Sequence, residues 1–143
     1  MNNAAKVVSS QSTRSAPAVL SGVVPYVQVN GASAASELYQ RAFGAVEAAR
    51  LPVDESGRTM HIHLHINGGS VMLSDAYPEY GAPLQAPQAF NLMMQVDDID
   101  AWFSRAVAAG AEVVMPVAKM FWGDRYGQLR DRFGVLWAMN QPE

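Results

Sequence analysis

A chain of 143 residues, half of them hydrophobic and with a formal net charge of -3, is long enough to fold as one domain around its own core. Ten Lys and Arg against thirteen Asp and Glu, without a basic stripe, exclude phosphate-backbone binding as the main activity, so no nucleic-acid partner is expected. The absence of cysteine excludes disulfides, thiolate nucleophiles and cysteine-ligated zinc; it agrees with a reducing compartment, and a cytoplasmic protein is expected.

Residues 1–21, "MNNAAKVVSSQSTRSAPAVLS", are small and polar, without period and without the apolar core of a secretory signal. They are expected to be a flexible tail. No apolar run approaches the roughly 20 residues of a spanning helix, so no membrane partner is expected. Residues 23–29, "VVPYVQV", are β-branched and aromatic and predict a strand. In the segment that follows, Ala35, Leu38, Tyr39, Ala42 and Phe43 form one apolar helical stripe, and Gly44 ends it. Three strands follow: "AVEAARLPV", "RTMHIHLHI" and, after a glycine turn, "SVMLSDA".

Residues 76–89 carry prolines and tyrosines and predict a linker between two halves, or a lid. Asp75 and Glu79, beside this segment, are expected to be solvated rim acids. The first pattern then returns. "FNLMMQV" predicts a strand, "DDID" supplies N-cap carboxylates, and Ile99, Trp102, Phe103, Ala106 and Val107 repeat the helical stripe up to Gly110. "AEVVMPV", "RYGQLRDRF" and "VLWAMNQ" complete the second half. Gln28 and Gln95 lie 67 residues apart, Leu38 and Trp102 64, Gly68 and Gly134 66. The chain is therefore a tandem repeat: module one over 22–75, linker 76–89, module two over 90–141.

Each half reads β-α-β-β-β. One helix cannot cover both faces of a four-stranded sheet, so the two sheets are expected to curl around a shared cleft, where function should reside. In "TMHIHLHINGG" all three histidines sit at alternate positions, so His61, His63 and His65 share one face of a strand and Ile62 and Leu64 the other. The row is compatible with half of a metal site or with a polar ligand-binding wall. Crowding should keep at least one imidazole neutral near pH 7, able to act as a general base; His63 is the candidate catalytic residue.

The motifs "PYVQVNG…A…ELYQRAFGA", "MHIHLHINGGSVMLSDA", "VDDIDAWFSRAVAAGAEVVMPV" and "FWGDRYGQLRDRFGVLW" resemble the vicinal-oxygen-chelate superfamily of glyoxalases, extradiol dioxygenases, fosfomycin-resistance and bleomycin-resistance proteins, in particular its PhnB-like branch. The resemblance implies an α+β fold in which two tandem βαβββ modules form a cupped mixed β-sheet with helices on the outside. It also implies a homodimer binding a small molecule inside the cup. Matched to the metal-using members, the four inward ligand positions hold Val24, His63, Asn91 and Ala138, of which only His63 is a good ligand. Accordingly no divalent metal and no other cofactor is expected; if a metal binds, His63 with His61 or His65 would hold it.

Strand parity adds Tyr26, Gln28, Asn91, Met93 and Gln95 to the histidines as ligand-binding candidates. Trp122 is expected to stack on a ligand at the cleft mouth, and Arg125 to bind an anionic group unless Asp124 pairs with it. The other methionines are read as core filling. Two functions follow: a binding protein for a small organic molecule without the inherited metal, or a metal-dependent lyase, isomerase or dioxygenase rebuilt around His61, His63 and His65.

Overall fold

The computed structural model describes residues 17–143; the first sixteen residues of the expected tail lie outside the described residues. Strand β1 (Tyr26–Val29) buries Val27 and Val29 and leaves Tyr26 and Gln28 on the other face. Helix α1 (Ala32–Phe43) buries the whole predicted stripe, and Gly44 ends it in the left-handed conformation, its N–H donating to the Gln40 carbonyl and the Ala45 N–H to the Tyr39 carbonyl. Strands β2 (Val46–Arg50), β3 (Ile62–Ile66) and β4 (Gly69–Asp75) complete a mixed sheet in the order β1-β4-β3-β2, with β1 parallel to β4.

The second module repeats this arrangement with β5 (Leu92–Gln95), α2 (Ile99–Ala108), β6 (Glu112–Lys119), β7 (Arg125–Arg130) and β8 (Leu136–Gln141), in the order β5-β8-β7-β6. The Asp98 carboxylate caps α2, accepting from the Ala101 N–H. Ile99 and Ala106 are buried and Trp102 and Phe103 pack partly buried against the core, but Val107 points to solvent. The fold is thus α+β, two four-stranded mixed sheets with one helix each.

The register makes the repeat quantitative. Tyr26, Met72, His63 and Ala49 form one rung across the first sheet; Met93, Ala138, Gln128 and Met115 form the corresponding rung across the second. The helix starts match too. Asp75 at the end of β4 accepts from the Gly31 and Ala32 N–H groups, and Gln141 at the end of β8 accepts from the Ile99 N–H. Both satisfy donors that a helix N-terminus leaves unpaired.

One core joins the modules. Tyr39 and Phe43 of α1 pack on Trp137 of β8, with ring centroids 5.1 Å and 4.6 Å apart. Arg105 of α2 donates from Nε to the Arg41 carbonyl at the end of α1. Beneath them Asp131 is 6 % exposed. Its Oδ2 accepts from the Tyr39 hydroxyl and Trp137 Nε1, and its Oδ1 from the Phe133 and Val135 N–H groups. The "D.FG..W" run is therefore a structural joint, and burial beside this carboxylate pushes the Tyr39 phenol far above its ordinary value.

Several expectations need correction. Asp75 is 4 % exposed and committed to a helix start and to the Thr59 N–H, so it is not a solvated rim acid. Met94 and Met139 fill the core as expected, whereas Met115 is exposed, because it stands on the face of β6 turned away from the core. The strand expected over 125–133 stops at Arg130, because Asp131 opens a turn in which the Gly134 N–H donates to its carbonyl. The two strands expected over 45–53 and 58–66 shorten to 46–50 and 62–66, since Asp54 folds the connection by accepting from the Ser56 and Arg58 N–H groups.

Candidate functional site

Each sheet turns one face to its helix and leaves the other open. On β3, Ile62 and Leu64 are fully buried against α1, which forces His61, His63 and His65 onto the open face. Tyr26 and Gln28 of β1 and Ser70, Met72 and Ser74 of β4 share that face by strand parity and register. No Asp, Glu, Lys or Arg stands among these residues. This is an aromatic, imidazole, amide and hydroxyl surface without fixed charge.

Hydrogen bonds fix the proton positions at the two ends of the histidine row. The Tyr26 hydroxyl donates to the Met60 carbonyl at 2.8 Å and lies 2.8 Å from His61 Nδ1. A carbonyl only accepts and a phenol has one proton, so Nδ1–H of His61 must donate to the phenol oxygen, and the neutral ring carries its lone pair on Nε2. Ser70 Oγ accepts from the Leu20 N–H and lies 2.7 Å from His63 Nε2. This contact occupies His63 Nε2. His65 Nε2–H donates to the Ala18 carbonyl at 3.0 Å.

The three rings differ in access. His63 is 2 % exposed and sits between His61 and His65, with ring centroids 6.5 Å and 4.8 Å away. Burial first, then the adjacent His65 and His61, holds its imidazole below the ordinary histidine value, so it is neutral near pH 7. His61 is only half-buried, and Tyr26 is 54 % exposed. Burial of its hydroxyl end still raises the Tyr26 phenol. His63, the candidate base, is thus the buried ring of the row, and His61 is the accessible one.

Other candidates lie apart. Asn91, Met93 and Gln95 border a cavity of about 470 Å³ between the modules, shared with Ser70 and the Asn67–Gly69 turn. Gln95 is held there, its carbonyl accepting from Asn67 Nδ2 and its Oε1 from Asn140 Nδ2. Gln28 donates to the Ala82 carbonyl of the linker. Arg125 does not pair with Asp124; it makes two 2.9 Å bonds to the Asp100 carboxylate at the start of α2, and Asp124 accepts from Asn140 Nδ2. Trp122 packs edge-on to Phe121 and Tyr126 in the β6–β7 turn.

Ser70 is not among the candidates named from the sequence, yet a signal for it exists there. Asn67 and Gly68, both with positive φ, make the two-residue turn that sets His65 opposite Ser70. Beyond Ser70, a second cavity of about 390 Å³ lies between β1 and the linker, lined by Tyr26, Gln28, Met60, Ser74, Asp75, Tyr77, Tyr80 and Ala82. The Tyr77 and Tyr80 rings stack in its wall, held by a turn at Pro78–Tyr80 and the Tyr77–Ala82 bridge.

These residues offer few donors to a divalent metal. By register Ala138 corresponds to Met72 on β4 and His63 to Gln128 on β7, and the rung across β1, β4, β5 and β8 reads Tyr26, Met72, Met93 and Ala138. Two thioethers, a phenol and a methyl are no ligand set for zinc, iron or manganese. Among the described residues no three His, Asp or Glu side chains converge, and His63 Nε2 is already bonded to Ser70.

The profile of the Glyoxalase/Bleomycin resistance protein/Dioxygenase superfamily matches residues 20–139. An uncharacterised protein of Mycobacterium bovis is 40% identical over 124 residues, 82% of this chain and 81% of its own. Among solved structures, TioX from Micromonospora sp. ML1 superposes with a TM-score of 0.69 at 29% identity, covering 86% of this chain and 99% of its own. The PhnB protein from Bacillus cereus shares the fold with a TM-score of 0.66 at 22% identity, over 85% of this chain and 99% of its own. With its paired βαβββ modules and a match across nearly the whole described chain, this protein belongs to the glyoxalase/bleomycin resistance/dioxygenase superfamily.

Proposed function

We propose that the chain is a cytoplasmic binding protein of the PhnB-like branch, which holds a small uncharged organic molecule against the open face of its first sheet without a divalent metal. The observation that carries this reading is that face itself, where Tyr26, Gln28 and His61 present aromatic and hydrogen-bonding groups without fixed charge. Such a mixture suits a ligand site, in which apolar walls supply affinity and a few polar groups orientation. No helix among the described residues is long and apolar enough to cross a membrane.

The site is completed by a second copy of the chain. Phe121 is 97 % exposed beside the half-exposed Trp122, and Met93 is 52 % exposed on the open face of the second sheet. Burying one such side chain contributes about 1.5–3 kcal/mol, which favours a homodimer in which the second module of one copy covers the first module of the other.

Elemental analysis of untagged protein purified without chelator, combined with gel filtration, tests the reading. A metal-free dimer is the expected result. Stoichiometric zinc, nickel, manganese or iron that disappears in His63→Ala would replace it with the metal-dependent lyase, isomerase or dioxygenase.

A further inference from the structure

The hydrogen bonds around Tyr26 distinguish one nitrogen of the histidine row from the others. His63 Nε2 is taken by Ser70 and the ring is buried; His65 donates through Nε2 to the Ala18 carbonyl. His61 is locked the other way, since its Nδ1–H is used by the Tyr26 oxygen, and its Nε2 lone pair has no partner among the described residues. An acceptor with its tautomer held in advance needs no reorganisation when a donor arrives.

Tyr26, whose hydroxyl is bonded to His61, and Met60, whose carbonyl accepts from that hydroxyl, also line the 390 Å³ cavity beside the linker. Its remaining walls include the stacked Tyr77 and Tyr80 rings and the Gln28 amide. Aromatic walls of this kind receive a flat ring, by stacking or edge-to-face contact. The one carboxylate at its border, Asp75, is consumed by the Gly31, Ala32 and Thr59 N–H groups, so the cavity offers no free charge to an ionic ligand.

We propose that the ligand is an uncharged aryl hydroxyl compound, its ring in the Tyr26–Met60–Tyr77–Tyr80 cavity and its O–H donating to His61 Nε2. This inference rests on the binding reading above and deepens it to a ligand class. Tyr26 is then a positioning residue for His61 as well as part of the wall. Replacing it by phenylalanine keeps the wall but releases the tautomer.

The probes are 4-cyanophenol and 4-methoxybenzonitrile, which share a ring and differ in the presence of the O–H, titrated calorimetrically into the full-length protein near pH 7. One net hydrogen bond corresponds to roughly a two- to tenfold preference for the phenol. That preference is expected in the wild type and is expected to vanish in His61→Phe and to shrink in Tyr26→Phe. Long-range ¹H–¹⁵N spectra of the wild type are expected to show His61 protonated at Nδ1. Equal binding of both probes by the wild type, a preference unchanged in His61→Phe, or a His61 ring protonated at Nε2 would overturn the proposal while leaving cleft binding intact. Failure of both probes to bind would overturn the binding reading with it.

Discussion

Replacing Asp131 by alanine removes the acceptor for two side-chain and two backbone donors at the joint between the modules. Tyr39 and Trp137 are 1 % and 2 % exposed, so water cannot replace the lost carboxylate at either side chain. Each unsatisfied buried donor costs about 1–3 kcal/mol, so these two alone cost roughly 2–6 kcal/mol. A loss near the middle of that range is a large part of the roughly 5–15 kcal/mol that holds a domain together, and lowers Tm by roughly 10–20 °C. Urea denaturation followed by tryptophan fluorescence measures it directly, since Trp137 is at the joint. Asp131→Asn should lose less, because the amide oxygen still accepts while its NH₂ opposes one of the donors. A variant Asp131→Ala within about 1 kcal/mol of wild type would refute the assignment of this motif to structure.

Asp75→Ala is expected to lose about 1–2 kcal/mol by uncapping α1, with far-ultraviolet circular dichroism and urea midpoints as the check; an unchanged midpoint would contradict the capping role. Gly127→Ala would place a methyl 2.8 Å from the Phe103 ring and 3.2 Å from the Met115 carbonyl, so a loss of about 1–3 kcal/mol is expected in thermal unfolding. Because the folded state depresses the His63 value, its neutral form supports stability fully above the unfolded value of about 6.5, and this support is lost as pH falls from there through the folded value. Urea midpoints at pH 7.5 and 5 should therefore converge in His63→Gln, and an equal pH dependence in variant and wild type would remove His63 as its source.

What the sequence disclosed and what it hid follow from range. Apolar parity and period are local, so the inward Ile62 and Leu64, the α1 stripe, its stop at Gly44 and the Asp98 cap are all legible from spacing alone. The tandem repeat is equally legible, and it holds down to the correspondence of Asp75 with Gln141 at the two helix starts. Contacts between distant segments are not. Asp131 meets Tyr39 across 92 residues, and Arg105 reaches the Arg41 carbonyl across 64, with no spacing rule to announce either.

The site is half legible for the same reason. Alternation places the three histidines on one face, but their partners Tyr26, Ser70 and Ala18 come from other segments, and those partners decide which nitrogen is free. The accessible imidazole is accordingly His61, although His63 alone matched an inherited ligand position. The Asp124–Arg125 pair does not form: Arg125, the first residue of β7, meets Asp100, and Asp124, in the bend before it, meets Asn140.

Binding of small molecules on the open face of the first sheet is tested most directly by backbone ¹H–¹⁵N spectra recorded during titration with 4-cyanophenol. The shifts should concentrate at Tyr26, Gln28, Met60–His65 and Tyr77–Ala82, and should weaken in His61→Phe. Shifts confined to the Asn91–Gln95 cavity or to the Phe121–Trp122 turn, with the histidine strand unmoved, would contradict it.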